Sequence, residues 1–259
     1  MGATPLSLGR FYPRRKVDDV SPPAIRLLWC GDTALTVEFG DRIDPALNAR
    51  VLALDGRLRD ADCPGLVETV PTYRSLTLHL DPILVDPARL EATVRTLAAL
   101  PAPPVPPKRV WQVPVMYGGD FGIDLADVAA HHGLSPSAVI ERHAAPEYRV
   151  VMIGFLPGYA YLDGLDPGLA LSRRSSPRPT TPAGTISIGG VQALVASIAA
   201  PSGWHLFGRT PVRAFLPGRD PVFLFEPGDG IRFVPTDPAR WDALDRAAAA
   251  GDPVAEVAA

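Results

Sequence analysis

R-V-V-M-I-G-F-L-P-G-Y-A-Y-L-D-G-L-D at 149–166, S-R-R-S-S-P-R-P-T-T-P-A-G-T-I-S-I-G-G at 172–190 and P-S-G-W-H-L-F-G-R-T-P-V at 201–212 decide the fold of this chain. Short apolar runs at 150–153, 185–188 and 205–207 alternate with turns full of Gly and Pro. Interior Pro is excluded from central strands, and Gly marks a bend, a bulge or a close backbone approach. Short strands so closely punctuated describe a compact β-barrel whose loops converge on one face. Arg173, Arg174 and Arg178 lie in the longest loop, with Gln192, Trp204, His205 and Arg209 in or beside the later strands. Apolar strands rimmed by guanidinium, amide and indole groups are what a small-molecule or partner pocket requires.

Working outward, 108–236 reads as this barrel and 237–259 as an Ala-rich tail, helical in part and frayed at its end. Val110–Met116 is a strand, and Pro114 within it predicts an edge position. Asp124 opens a short helix that stops at Gly133, and Ser135-Pro136 caps another reaching His143. P-A-P-P-V-P-P at 101–107 is a stiff, extended linker and sets the domain boundary. Before it, 24–100 reads β-β-α-β-β-α. Leu35, Val37 and Phe39 alternate on one strand face, and Leu47, Val51, Leu54 and Leu58 form a helical stripe after Asp44-Pro45. A second stripe, Leu90, Val94 and Leu97, follows Asp86-Pro87. Such alternation predicts a split α+β sandwich of ferredoxin-like type. Residues 1–23 read as a mobile arm, because the basic cluster Arg14-Arg15-Lys16 is followed by no apolar stretch of the kind a leader needs.

The totals exclude several function classes. A chain of 259 residues with 47% hydrophobic residues has room for two buried cores. A net charge of −3 offers no basic excess for a phosphate backbone, so nucleic acid is not an expected partner. No apolar run approaches the roughly 18 residues of a spanning helix, and no membrane partner is expected. Two cysteines, Cys30 and Cys63, make neither a disulfide framework nor a zinc set, which fits a reducing, cytoplasmic compartment.

The only lysines are Lys16 and Lys108, and no G-x-x-x-x-G-K-[ST] occurs, so a P-loop is absent and a Ser–Lys amidase step has no barrel lysine. G-x-S-x-G, H-E-x-x-H and C-x-x-C are missing as well, so neither a nucleophile elbow nor a protein-built metal site is expected.

Among the remaining candidates, three guanidiniums within six residues can form a fork for a carboxylate or phosphate. Pro177, Pro179 and Pro182 stiffen that loop, which lowers the entropy cost of ordering it. Arg178 is read as facing a ligand, while Arg173 and Arg174 stay open between the same fork and a solvated loop. Trp204 is barrel core or a pocket floor, and Arg209 braces backbone or touches a ligand. His143, the weak candidate for a catalytic group, is a helix cap or a pocket residue; His131 and His132 complement a helix end. G-F-L-P-G at 154–158 supplies tight turns, with Tyr159 or Tyr161 able to present a hydroxyl.

H-x-x-P-E-Y-R-V-x-M-I-G-F-L-P-G-Y-A-Y-L-x-G-L-D, R-R-x-x-P-R, P-A-G-T-I-S-I-G-G-x-Q and G-W-H-L-F-G-R-T-P together resemble the 5-oxoprolinase B-subunit family. That family is also labelled allophanate hydrolase subunit 1 and includes a bacterial kinase-inhibitor protein. V-P-V-M-Y-G-G-D-F-G at 113–122 and V-P-T-Y-R-S-L at 70–76 extend the resemblance over nearly all of 25–236. It implies a ferredoxin-like domain followed by a cyclophilin-like barrel. It also implies pairing with the C subunit, which is similar to allophanate hydrolase subunit 2, and cooperation with the A subunit.

Such assemblies open 5-oxo-L-proline to L-glutamate at the expense of ATP with Mg, no cofactor being bound by this chain alone. The pocket positions implied are Gly154, Phe155, Pro157, Tyr159, Arg178, Gly184, Gln192, Trp204 and Arg209, with Arg178 and Arg209 as anion clamps on a small lactam or amide. Two other roles within the resemblance are inhibition of a sensor histidine kinase through the barrel face and accessory service to a urea- or allophanate-type amidolyase. The chain departs from the family's pattern at Ser172, at Ala193–Ser197 and at Ser202.

Overall fold

The computed structural model describes residues 24–102 and 106–258, so the predicted arm and the centre of the Pro-rich linker lie outside the described residues. The first half is a four-stranded antiparallel sheet of β1 (Arg26–Cys30), β2 (Ala34–Glu38), β3 (Leu66–Pro71) and β4 (Ser75–Leu80), in the order β1-β2-β4-β3. This is the strand order of a βαββαβ unit whose last strand has been moved to the front. Helices α1 (Pro45–Asp60) and α2 (Pro87–Ala99) cross it, each opened by the Asp-Pro pair read from the sequence. The Asp44 carboxylate accepts from the Ala46 N–H at 2.9 Å, and that of Asp86 accepts from Ala88 and Arg89 at 3.0 and 3.1 Å. Leu47, Val51, Leu54, Leu58, Leu90 and Val94 close over Leu35, Val37, Leu76 and Leu78. Each fully buried leucine contributes about 1.5–3 kcal/mol. Arg57 holds the far end of α2, donating to the carbonyls of Leu97 at 2.9 Å and Pro101 at 2.6 Å.

The second half is a closed, mixed barrel of seven strands. Its order is β12 (His205–Arg209), β9 (Thr185–Gly189), β10 (Gln192–Val195), β7 (Ala160–Asp163), β6 (Tyr148–Ile153), β13 (Gly230–Pro235) and β5 (Val110–Tyr117). Closure comes from Gly208 and Arg209 pairing with Tyr117 and Met116. Inward residues alternate with outward ones along the strands, so Val113, Val115, Tyr148, Val150, Ile186, Ile188, Phe207 and Ile231 fill the interior. Helices α3 (Leu125–His132) and α4 (Pro136–Ala144) add Leu125, Val128, Ala129 and Val139 to the same core. A separate two-stranded ribbon joins β8 (Arg178–Thr181) to β11 (Ala200–Ser202).

Two expectations are corrected here. β5 is not an edge strand: it pairs in parallel with β13 on one flank, and with β12 and β14 (Glu256–Val257) on the other. Pro114 is tolerated because its missing donor falls on the second flank, between the residues paired with β14 and those paired with β12. The end of the tail is likewise not frayed. After α5 (Pro238–Ala249), β14 returns to β5, and the Ala258 N–H donates to the Val110 carbonyl at 2.7 Å.

Side chains of the first half reach the barrel. Buried Asn48 of α1 donates to the Thr72 carbonyl at 3.0 Å and to the Val151 carbonyl of β6 at 3.3 Å, and the Tyr73 hydroxyl donates to Leu162 of β7 at 3.2 Å. The first domain therefore braces the two strands that flank the 154–159 turn.

Candidate functional site

The G-F-L-P-G turn joins β6 to β7. Its ends are closed by the Gly154 N–H donating to the Tyr159 carbonyl at 3.1 Å, and by the Tyr159 N–H donating to the Leu156 carbonyl at 3.1 Å. Phe155 has φ 70, a strained setting for a side chain with a Cβ, and is 67% exposed. The stacked pair Phe215 and Phe223, with ring centroids 5.4 Å apart, lies against the same turn. A Cβ built on Gly158 would come within 2.7 Å of Phe215 Cβ. Exposed Phe155, Val222 and Phe223 thus form an apolar ridge at this end of the barrel. Ser197, at one of the positions that depart from the family's pattern, donates its hydroxyl to the Pro157 carbonyl.

Other predicted positions turn inward. Tyr159 is buried and spends its hydroxyl on the Ile198 carbonyl at 2.7 Å; burial, with Tyr161 nearby, pushes that hydroxyl up to about 12. Trp204 is 6% exposed among Tyr159, Leu194, Ala196 and Ala200, so it is core. Gly184 sits at φ 76, where a Cβ would lie 2.2 Å from the Thr210 carbonyl oxygen; its place is dictated by backbone approach. Gln192 starts β10 opposite Gly189, and its side chain reaches the Tyr73 hydroxyl.

His143 requires a correction. It lies inside the barrel core, fully buried, rather than on a pocket wall, with Nδ1 2.9 Å from the Tyr117 hydroxyl and its ring against Phe207 and Phe233. Burial lowers it to about 3, so it stays neutral, and no route from solvent lets it act as a base.

The arginines divide into two groups. Arg178 makes a bidentate pair with Asp124, Nη1 to one carboxylate oxygen at 2.9 Å and Nη2 to the other at 2.6 Å. Arg174 adds Nη1 at 3.3 Å, and the Leu206 N–H donates to the same carboxylate at 2.8 Å. The sequence reads Asp124 as the cap of α3, yet its side chain caps nothing in that helix. Burial pushes its carboxyl up, but the Arg178 hydrogen bonds, the Leu206 N–H and the neighbouring guanidinium charges outweigh burial and hold it below the usual range. Arg209 takes part in none of this. It donates Nε to the Ala183 carbonyl at 3.3 Å and lies over the rings of Phe121 and Trp241, at 5.9 and 5.6 Å. Arg178 and Arg209 share no partner among the described residues.

A concavity lies beside the Asp124 cluster, between α3 and the loop after Leu171. It is an open cleft of about 360 Å³ lined by Asp127, His131, Ser172, Arg173, Arg174 and His205, with further contributions from its neighbours. Arg173 sits over the Trp204 ring at 5.4 Å, and the His205 Nε2–H donates to the Ser172 carbonyl at 2.9 Å. Sequence reasoning missed Asp124 as the hub. It is about fifty residues from its arginines, and the one signal for it is a loop with three guanidiniums and no acid of its own. Asp229, fully buried and holding Arg109, Trp111 and the Glu226 N–H, is a second hub of this kind with a purely structural environment. No cluster of three metal-ligating side chains occurs among the described residues.

The barrel with its helical plug defines the class. Residues 25–225 match the family described as carboxyltransferase domain, subdomain C and D. Within that class the chain belongs to the 5-oxoprolinase B-subunit family. It is 37% identical over 217 residues to the B subunit of 5-oxoprolinase from Bacillus subtilis (strain 168), covering 79% of this chain and 90% of that protein. It is 40% identical over 209 residues to the protein of the same name from Escherichia coli O157:H7, covering 79% and 93%. Among solved structures, TTHA0988 matches with a TM-score of 0.70 and 38% identity over 79% of this chain, and this chain spans only 40% of that one. The urea carboxylase of Kluyveromyces lactis shares the fold, with a TM-score of 0.76 at 18% identity over 94% of this chain and 24% of that chain.

Proposed function

We propose that this chain is the B subunit of a cytoplasmic, ATP-dependent 5-oxoprolinase that opens 5-oxo-L-proline to L-glutamate together with its A and C subunits. The observation that carries this reading is the match over nine-tenths of the length of curated 5-oxoprolinase B subunits. A P-loop nucleotide site is not available in this chain, whose sequence has no G-x-x-x-x-G-K-[ST]. Its own contribution is to bind and orient. The Asp124 cluster fixes the arginine loop beside the cleft, and Arg178 acts through that carboxylate as a positioning residue.

The ridge of Phe155, Val222 and Phe223 is the docking face for the C subunit. An exposed aromatic held at positive φ is costly to keep unless a partner covers it. Reconstitution tests this: glutamate release from 5-oxoproline and ATP requires all three chains. The double variant Phe155→Ser, Phe223→Ser co-elutes poorly with the C subunit, losing at least tenfold in turnover at fixed protein concentration. Full turnover without this chain would overturn the reading, as would capture of a histidine-kinase dimerisation domain with no oxoprolinase activity recoverable.

A further inference from the structure

We propose that the cleft between α3 and the loop after Leu171 is an oxyanion site, and that Arg173 and Arg174 recognise the carboxylate of the lactam there. The choice of a substrate carboxylate rests on the function proposed above; the site itself rests on geometry. Arg173 lies over the Trp204 ring, its Cζ 5.4 Å from the ring centroid, and no carboxylate among the described residues lies within ion-pairing distance of it. A cation attracted to a ring through its charge forms no hydrogen bond with it and keeps its N–H donors for an acceptor. Arg174 reaches Asp124 through Nη1 alone, and its buried Nε–H has no partner. With the Arg174 side chain 31% exposed, its Nη donors are the ones that an oxyanion in the cleft can reach.

Charge points the same way. Arg173, Arg174 and Arg178 face two carboxylates, Asp124 and Asp127, so positive charge is left over. Ser172 and Ser175 bring hydroxyl donors to the same walls. The frame is already ordered. The Arg174 N–H donates to the Gly203 carbonyl at 2.8 Å, and His205 ties down Ser172. A volume of about 360 Å³ falls within the range of small-molecule sites, roughly 300–1,000 Å³.

A phosphate group offers the same chemistry as a carboxylate, so the experiment separates the two. The full-length chain, alone and with its A and C subunits, is titrated calorimetrically with 5-oxoproline, with its uncharged carboxamide and with inorganic phosphate. The expected result is binding of 5-oxoproline, at least tenfold weaker binding of the carboxamide, and weakening with added salt. Arg173→Gln weakens 5-oxoproline binding at least tenfold, Arg173→Lys less so, and Arg232→Gln, a surface control paired with Glu147, leaves it unchanged.

If Arg173→Gln binds both anions like the parent chain, or if neither anion binds in either setting, the site is overturned, while turnover by the three-chain assembly can still uphold this chain's place in it. If phosphate binds through Arg173 and 5-oxoproline does not, the oxyanion site stands and the substrate carboxylate as its occupant falls.

Discussion

His143 shows how a residue that looks chemical in a sequence becomes structural in a fold. A histidine at a helix end, followed by P-E-Y-R, invites a catalytic role, yet α4 turns it into the barrel among Tyr117, Tyr148, Phe207 and Phe233. Its neutrality has a consequence for stability. With a folded value near 3 against about 6.5 when unfolded, the unfolded chain takes up the extra proton between those limits. Stability is therefore fully present above about pH 6.5 and is lost progressively as pH falls toward 3. The double variant His143→Phe, Tyr117→Phe removes the imidazole together with its hydroxyl partner. The dependence of the urea midpoint on pH between about 6.5 and 4 should flatten accordingly. An unchanged slope would assign that dependence to other groups.

Among the elements, the chain makes legible whatever local chemistry dictates. Both Asp-Pro helix starts, the Gly133 stop, the stripes of α1 and α2 and the alternating strands of the first sheet follow from caps and periodicity. The barrel strands are legible from their Gly and Pro punctuation. Non-local pairing is not. Nothing near Pro114 announces that its imide falls opposite a gap, nothing near Glu256 announces β5, and nothing near Arg178 announces Asp124. The residues read from the sequence as one pocket are divided by the fold: Tyr159 and Trp204 belong to a small core cluster, while Arg173, Arg174 and His205 line a cleft on the side of α3. The glycines give a test at this level. Gly184→Ala combines φ 76 with a carbonyl contact of 2.2 Å, and should cost roughly 2–3 kcal/mol. In Gly154→Ala the new Cβ would meet only the flexible Met152 Cε at 3.3 Å and should change the melting temperature little. Equal losses in thermal denaturation would show that the β9 entry is more pliable than its geometry implies.

For the molecule as a whole, the two cores are separate clusters, and Asn48 and Tyr73 are polar anchors between the halves. Asn48 and Tyr73 are buried, and each spends side-chain donors on barrel carbonyls. Removing both, as Asn48→Ala with Tyr73→Phe, leaves the carbonyls of Val151 and Leu162 without these donors and should cost about 1–3 kcal/mol per site. The loss should fall on the junction. Hydrogen exchange should accelerate in β2–β4 while β9 and β10 keep their protection, since Ile186, Ile188, Ala193 and Val195 belong to the barrel's own core. Uniform acceleration would mean that the two halves unfold as one unit.

The ring of barrel strands is not fastened evenly. β13 runs beside β5 for six residue pairs, whereas β12 grips it by two, Gly208 with Tyr117 and Arg209 with Met116. Pro114, two residues back, has no donor with which to add a rung. The cylinder thus has two short seams, this one and that of β13 with β6, which also rests on two pairs, Gly230 with Arg149 and Ile231 with Tyr148. β12 is the strand that carries His205 to the mouth of the cleft. A thermal fluctuation that opens the β12 seam would let that mouth flex while the longer seams, such as the six pairs of β13 with β5, stay shut.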